Sequence, residues 1–161
     1  MSNVWKPSVT VAAIVEREQR FLLVEERTSD GIRINQPAGH LDPGESLAAA
    51  CARETLEETA HPFVPTQLLG VYMFRHARNG AERDDVTYLR FAFIGELGER
   101  IAGRALDHGI LRTLWLTPEE LRARSHEHRS PLVMKCVEDY LRGQRYPIEL
   151  VYTHPTVIDD R

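Results

Sequence analysis

The chain has 161 residues, of which 42% are hydrophobic and 27% charged, and its formal net charge at pH 7 is -4. This length and apolar content suit one domain spanning residues 1–161, which would remove about two thirds of the unfolded surface from water. No run of lysines and arginines is present, which argues against a dedicated surface for nucleic acids or anionic membranes. No signal peptide and no window of about twenty apolar residues is found, so we expect a cytoplasmic protein.

Two apolar segments near the N-terminus predict a β-hairpin. Residues 8–16 and 20–25 are rich in valine, isoleucine and leucine, and three polar residues join them. A further strand over residues 33–36 is expected to end at Pro37, because proline cannot donate a hydrogen bond to the ladder. The turn at Gly39 should therefore lie beside a strand end.

An alanine-rich helix follows this turn. It is predicted to begin at Glu45 or Ser46 and to end near Thr59, with Pro62 closing it. Apolar residues occur on both sides of the helical wheel, which indicates that other elements cover the helix. Cys51 on this helix, like the only other cysteine, Cys136, is expected to be a buried thiol and not part of a disulfide scaffold.

Three glutamates make the end of this helix acidic. Glu54, Glu57 and Glu58 project from one face within roughly one turn. They repel one another and lie where the helix dipole disfavours negative charge, so the arrangement calls for a cation unless the face is simply solvated. Oxygen ligands with coordination positions left for water and phosphate are typical of Mg²⁺.

The rest of the chain alternates strand and helix signals. Pro118 follows the capping residue Thr117, and Pro131 follows Ser130, so both pairs predict helix starts. Residues beyond about Val151 have little periodicity, and we expect them to be held loosely. The predicted elements are strands over 67–77, 86–96 and 110–116 and helices from Pro118 to about Arg124 and from Pro131 to Gly143. The sequence therefore predicts an α+β layered architecture.

The segment around the acidic helix resembles the Nudix box, in which a glycine, five residues, a glutamate, seven residues and Arg-Glu-x-x-Glu-Glu follow in order. These positions are filled by Gly39, Glu45, Arg53, Glu54, Glu57 and Glu58. Ala60 replaces the customary glycine, and Thr55 stands where an aliphatic residue is frequent. Because alanine enters a left-handed cap less readily than glycine, we expect the helix exit to differ.

This resemblance implies a fold and an activity. Nudix proteins form an α/β/α sandwich with a mixed central sheet. Segments 6–12, 35–40, 129–133 and 143–147 also resemble bacterial phosphatases of this family, which act on nucleoside tri- and diphosphates and on the diphosphate of the thiamine pyrimidine precursor. The implied protein is a Mg²⁺-dependent phosphohydrolase, with Mn²⁺ as a substitute, that binds small-molecule nucleoside or pyrimidine di- and triphosphates as a monomer or homodimer.

The resemblance also implies roles for the box residues. Glu54, Glu57 and Glu58 are the predicted metal ligands, with the backbone carbonyl of Ala38 or Gly39 as a further one. The catalytic group comprises Glu54, Glu57 and Arg53, in which Arg53 pairs with a carboxylate such as Glu45 and orients the acids. Glu54 is the family-based candidate for the general base, and Asp107 is the alternative.

Substrate contacts are predicted around the Gly39 turn and the long hairpin. The candidates for binding phosphate or lining the cleft could each instead be a solvated or capping residue, and they are Asn35, Gln36, His40, Arg75, His76 and Arg78. Three aromatic side chains could stack on a base or belong to the core, namely Tyr72, Phe74 and Trp115.

Three other functions are compatible with the fold. One is a nucleotide-sensing module without catalysis, although none of the box acids is missing. Another is an isomerase with related metal-binding architecture. A third is hydrolysis of dinucleoside polyphosphates or capped RNA ends, which the weak basic character disfavours.

Overall fold

The computed structural model describes residues 2–77 and 85–158. Over these residues the chain forms strands and helices in the predicted order. The elements are β1 (Ser8–Ile14), β2 (Glu16–Arg17), β3 (Arg20–Thr28), β4 (Gly31–Asn35), β5 (Ala38–His40), α1 (Leu47–Thr59), β6 (Phe63–His76), β7 (Val86–Leu97), β8 (Ile110–Leu116), α2 (Pro118–Ala123), α3 (Leu132–Leu141) and β9 (Tyr146–Pro147). The predicted α+β class is confirmed.

The strands form two sheets. The first has the order β5-β1-β7-β6-β9 and is mixed, because β1 pairs with β7 in parallel while its other ladders are antiparallel. The second is antiparallel, with β2, β4 and β8 all paired to β3. Residues of both sheets contribute to the cleft described below.

Two apolar clusters cover opposite faces of the first sheet, as expected for a layered fold. Alternation along β1 directs Val11 and Ala13 to one cluster and Ile14 to the other. The first cluster includes Ala50 and Cys51 of α1. The second is closed by three buried residues of α3, Val133, Cys136 and Val137. The predicted burial of both cysteines is confirmed, and both are free thiols.

The ends of α1 follow from local sequence. Ser46 is the N-cap, and its side chain accepts a hydrogen bond from the Ala49 N–H at 3.1 Å. Ala60 adopts the left-handed conformation, with φ of 60°, and its N–H bonds to the Leu56 carbonyl. The expectation that alanine would change the helix exit is therefore wrong. The Thr55 hydroxyl is buried and donates to the Cys51 carbonyl, which accounts for a polar residue at this position.

Several strands differ from the sequence predictions. The segment predicted as one strand over 8–16 is divided, because β1 belongs to the first sheet and β2 forms the hairpin with β3 in the second. β6 begins at Phe63, four residues before the predicted start, and the short strand β9 was not predicted. Beyond Val151, residues 155–157 form a 3₁₀ turn capped by His154. Within the described part of the chain, no helix combines the length and apolar character needed to cross a bilayer.

Candidate active site

A cavity of about 340 Å³ lies where residues of the two sheets meet α1, and we call it the acid cavity. Thr10, Tyr88 and Arg90 come from the first sheet, and Glu26 and Asn35 come from the second. Its other lining residues are Ala38, Gly39, His40, Glu54, Glu58, Phe74, His76, Asp107, Arg129, Ser130 and Leu132. Carboxylates from α1, β3 and the loop before β8 therefore share one small space.

Close packing between Gly39 and α1 directs Glu54 to this cavity. A Cβ atom placed on Gly39 would lie 2.1 Å from Cδ of Glu54, far inside van der Waals contact. The Glu54 carboxyl group thus occupies the space that any other residue at position 39 would fill. The glycine is required here by this close approach and not by its φ, which is outside the left-handed region.

Glu58 is the most buried of the box acids. Its residue is only 6% exposed, and one carboxylate oxygen accepts a hydrogen bond from the Ala38 N–H at 3.0 Å. The pKa of Glu58 is raised to about 9, mainly by burial and also by the negative charges of Glu26, Glu54 and Asp107, against the lowering effect of the Ala38 hydrogen bond. Burial also raises the pKa of Glu54, an effect that Arg53 partly offsets.

Arg53 connects the acids of α1 to the preceding loop. Its guanidinium donates to both carboxylate oxygens of Glu45, at 3.0 and 2.7 Å, and to the His40 carbonyl at 3.0 Å. Its Nη1 bonds to Glu54 at 2.9 Å and to Glu57 at 3.1 Å. The Arg53 hydrogen bonds lower the pKa of Glu45, and they hold three carboxylates in a fixed arrangement.

The three predicted metal ligands are not equivalent in the structure. Glu54 and Glu58 line the acid cavity, whereas Glu57 bonds to Arg53 and is absent from the lining. Over residues 2–77 and 85–158, no set of three or more acidic, histidine or cysteine side chains already converges in a metal-binding geometry. Asp107 does line the cavity, and its N–H bonds to the Glu57 carbonyl at 2.8 Å.

Three charged residues of the cavity were missed by sequence reasoning, namely Glu26, Arg90 and Arg129. Glu26 on β3 has a buried Oε1 without a hydrogen-bond partner, and burial raises its pKa. Arg90 on β7 is 6% exposed and donates to Asn35 and Gln36, each at 2.9 Å. Arg90 is a charged residue inside a mainly apolar strand, a signal that could have identified it, whereas Glu26 lies between Glu25 and Arg27 and has no such signal.

The predicted substrate contacts divide into two groups. His40 and His76 line the acid cavity. Gln36 does not, because it is 2% exposed and its amide bonds to Arg90 and to the Val133 carbonyl. Arg75 is 70% exposed on the face of β6 opposite to His76 and pairs with Asp85. Gln36 and Arg75 are therefore not among the residues that line the acid cavity, while Arg78 lies outside the described residues.

A larger cavity of about 960 Å³ adjoins the acid cavity. The residues that line both are Phe74, His76, Tyr88, Arg129 and Ser130, and we call them the junction. Of the predicted stacking residues, Phe74 is at this junction. Tyr72 is a core residue whose hydroxyl donates to the buried Asp139, and Trp115 packs on the α1 side of the core, so neither belongs to the cleft.

A family model matches this architecture and its acidic helix. The model of the NUDIX domain matches residues 6–136, which include the acid cavity from Thr10 to Leu132. The chain belongs to the Nudix family. The Nudix fold expected from the sequence, an α/β/α sandwich with a mixed sheet, is thereby confirmed, and so is the expectation of a Nudix phosphohydrolase.

Relatives and solved Nudix structures agree with this assignment. The chain is 37% identical over 147 residues to the phosphatase NudJ of Escherichia coli strain K12, covering 91% of this chain and 92% of the relative. A NUDIX hydrolase from Nitrosomonas europaea is 49% identical, with a TM-score of 0.86 and coverage of 92% of this chain and 98% of that one. A MutT NUDIX hydrolase from Burkholderia pseudomallei, 20% identical with a TM-score of 0.68 and coverage of 84% and 98%, is similar in fold. Nudix hydrolases generally use divalent metal cations.

Proposed function

We propose that this Nudix hydrolase removes phosphate from nucleoside tri- or diphosphates, or from a small pyrimidine diphosphate, by Mg²⁺-dependent attack of water on phosphorus. The observation that carries the proposal is the acid cavity, in which Glu54 and Glu58 face the same space beside Gly39. The relatives named phosphatase NudJ support phosphate release as the reaction. The thiamine pyrimidine precursor diphosphate is the small pyrimidine substrate that the sequence resemblance suggests.

The donor atoms of the acid cavity fit a hard divalent cation. Glu54 and Glu58 present carboxylate oxygens, and the buried Oε1 of Glu26 has no hydrogen-bond partner. Oxygen donors of this kind suit Mg²⁺, and Mn²⁺ would be an acceptable substitute. We propose that Glu54, Glu57, Glu58 and a carbonyl of Ala38 or Gly39 hold the cation. When bound, it would neutralise phosphate oxygens and acidify the attacking water.

Other residues of the chain would prepare the cavity for the reaction. Arg53 fixes the Glu54 carboxylate through its 2.9 Å hydrogen bond, so this group keeps one orientation. Glu54 lines the acid cavity and is held there by Arg53, which supports it as the general base. Asp107 remains the alternative base, since its side chain lines the same cavity.

A panel of diphosphates and triphosphates assayed in ¹⁸O-labelled water tests this proposal. Phosphorus NMR of the products identifies the substrate, the bond that breaks and the phosphorus that receives the water oxygen. We expect Mg²⁺-dependent phosphate release with ¹⁸O in one product. A protein that binds nucleotides without releasing phosphate would instead be a sensing module, and an isomerised product without phosphate or pyrophosphate would indicate the isomerase alternative.

Two further expectations belong to this proposal. We propose that the enzyme acts in the cytoplasm on small molecules and not on nucleic acid, in keeping with its net charge of -4. We also propose that it acts as a monomer or homodimer and that residues 1–161 form a single domain. Light scattering of the purified protein, together with limited proteolysis, would test the last two points.

A further inference from the structure

The junction between the two cavities contains an arginine that has no role in the proposed reaction. Arg129 lies in the segment between α2 and α3 and lines both cavities together with Phe74, His76, Tyr88 and Ser130. It is the arginine shared by both linings, whereas Arg33 lines only the larger cavity and Arg90 only the acid cavity. A ligand that extends from one cavity into the other crosses this junction, to which Arg129 contributes the positive charge of an arginine.

The main chain of Arg129 is held by a hydrogen bond, but its guanidinium forms no close hydrogen bond to a carboxylate of the described residues. The Arg129 N–H donates to the Ile34 carbonyl at 2.8 Å, and the adjacent His128 forms a bridge with Ile34. Among residues 2–77 and 85–158, the only carboxylate that pairs with the Arg129 side chain is Glu26, with 3.5 Å between Nε and Oε1. This distance is longer than the roughly 2.7–2.9 Å typical of a charge-assisted hydrogen bond. The guanidinium is 35% exposed and can therefore accept a further anion.

Geometry also restricts which part of a ligand would meet Arg129. The acid cavity is small and contains Glu26, Glu54, Glu58 and Asp107, whereas Asp30 is the one acidic residue in the lining of the larger cavity among residues 2–77 and 85–158. If the proposed function holds, the attacked phosphate occupies the acid cavity and the organic group occupies the larger one. The phosphate that remains attached to the organic group then lies at the junction.

We propose that Arg129 is a substrate-binding residue that holds this second phosphate, the one between the attacked phosphorus and the organic group. The planar fork of a guanidinium matches two phosphate oxygens, which an ammonium group cannot do equally well. The inference rests on the proposed function and extends it to substrates with at least two linked phosphates. The competing explanation is that Arg129 only neutralises the buried Glu26 carboxylate.

Binding of a methylene-bridged nucleoside diphosphate, which cannot be hydrolysed, separates these explanations. Its Kd would be measured by calorimetry in Mg²⁺ for the full-length wild-type protein and for Arg129→Gln and Arg129→Lys. We expect Arg129→Gln to raise the Kd at least 10-fold and Arg129→Lys to have an intermediate effect. The matched control is Arg20→Gln, since Arg20 pairs with Glu120 at an exposed site and lines neither cavity. Its Kd should stay within twofold of the wild-type value.

The same comparison in a Glu26→Gln background tests the neutralising role directly. If Arg129 binds phosphate, the Arg129→Gln effect on Kd persists when Glu26 carries no charge. Loss of the effect in that background, or a Kd within twofold of wild type for Arg129→Gln, would overturn the inference. Wild-type protein that binds the analogue but releases no phosphate from the natural diphosphate would instead count against the proposed function. Failure of the wild type to bind the analogue would overturn both.

Discussion

At the scale of single residues, the candidate site depends on carboxyl groups that the fold withdraws from water. Glu58 has one hydrogen bond, from the Ala38 N–H, and three acidic neighbours. Glu54 has Arg53 as a counterion but also lies close to Glu57 and Asp107. Such groups are unfavourable as free anions, because burial penalises the charged form and like charges add to the penalty. The protein therefore gains stability from whatever neutralises them, whether a proton or a cation.

The raised pKa of Glu58 predicts how pH affects the stability of the metal-free protein. The folded pKa of Glu58, about 9, lies above its ordinary value of 4.5, so the folded state binds more protons between these values. The contribution of Glu58 to the free energy of unfolding is then fully present below about pH 4.5. It falls as pH rises towards 9, by up to about 1.4 kcal/mol per pH unit. Urea titrations in EDTA between pH 6 and 9 would measure this slope. Glu58→Gln should flatten it, and an equally steep slope in that variant would contradict the assignment to Glu58.

At the scale of elements, the contact between Gly39 in β5 and α1 links local sequence to the site. The helix begins at its Ser46 cap and ends with the left-handed Ala60, so its position along the chain is fixed at both ends. β5 holds the other side of the contact, because Gly39 pairs with Val11 of β1. Glu54 therefore faces the acid cavity as a consequence of backbone packing and not of its own flexibility.

Replacing Gly39 by alanine should separate activity from stability. The new Cβ would collide with the end of the Glu54 side chain, which can move away while the backbone stays in place. We expect the free energy of unfolding to change by about 1 kcal/mol or less, while kcat falls at least about 100-fold because the carboxylate is displaced. Gly103→Ala is the opposite control. Gly103 has a φ of 76°, which is unfavourable for alanine, but no atom lies within 4 Å of the added Cβ. This substitution should therefore lower the free energy of unfolding but not kcat.

How well the sequence predicted each element depends on how local its signals are. The start of α1 at Ser46 and the whole of β8 follow from caps and periodicity, which act over a few residues. The capping box of Thr117 and Glu120 likewise defines the start of α2. The passage of the chain from β1 to β2 could not be predicted, because it depends on which of two sheets each segment joins. The exit at Ala60 was misjudged, since tertiary packing of this fully buried residue overrides the preference for glycine.

At the scale of the whole molecule, the cleft combines residues that are far apart in the chain. The acids of α1 were predicted because a motif carries them, but Glu26, Arg90 and Arg129 come from separate strands and a loop. These residues come together only because the two sheets meet, and a pattern of neighbouring residues in the sequence does not predict how sheets meet. The burial of Gln36 has the same origin, because Arg90 and the Val133 carbonyl reach it from distant segments.

The buried Arg90 network should be a main source of stability for this arrangement. Arg90 bonds Asn35, Gln36 and Cys136, and so joins β7 to the second sheet and to α3. The single ammonium group of lysine cannot reproduce the planar set of N–H donors of the guanidinium, so Arg90→Lys would leave buried acceptors without donors. We expect Arg90→Lys to lower the free energy of unfolding by about 2 kcal/mol and Tm by about 4–8 °C. Thermal unfolding measured by circular dichroism checks this.

An exposed arginine provides the matched control for Arg90→Lys. Arg20 pairs with Glu120 at 2.8 Å, and both side chains are about half exposed. Arg20→Lys should therefore change the free energy of unfolding by about 0.5 kcal/mol or less. If Arg90→Lys unfolds at the same temperature as Arg20→Lys, the network does not have the structural role assigned to it.

The acids of α1 are proposed to form the centre of a phosphohydrolase. The most direct measurement is the rate of phosphate release from the best substrate as Mg²⁺ is titrated, for the wild type, Glu54→Gln and Glu57→Gln, with Glu119→Gln as a control on the exposed start of α2. We predict Mg²⁺-dependent release by the wild type and control, and loss of at least about 99% of it in both box variants with unchanged circular dichroism spectra. Near-normal Mg²⁺-dependent release by Glu54→Gln and Glu57→Gln would contradict the account.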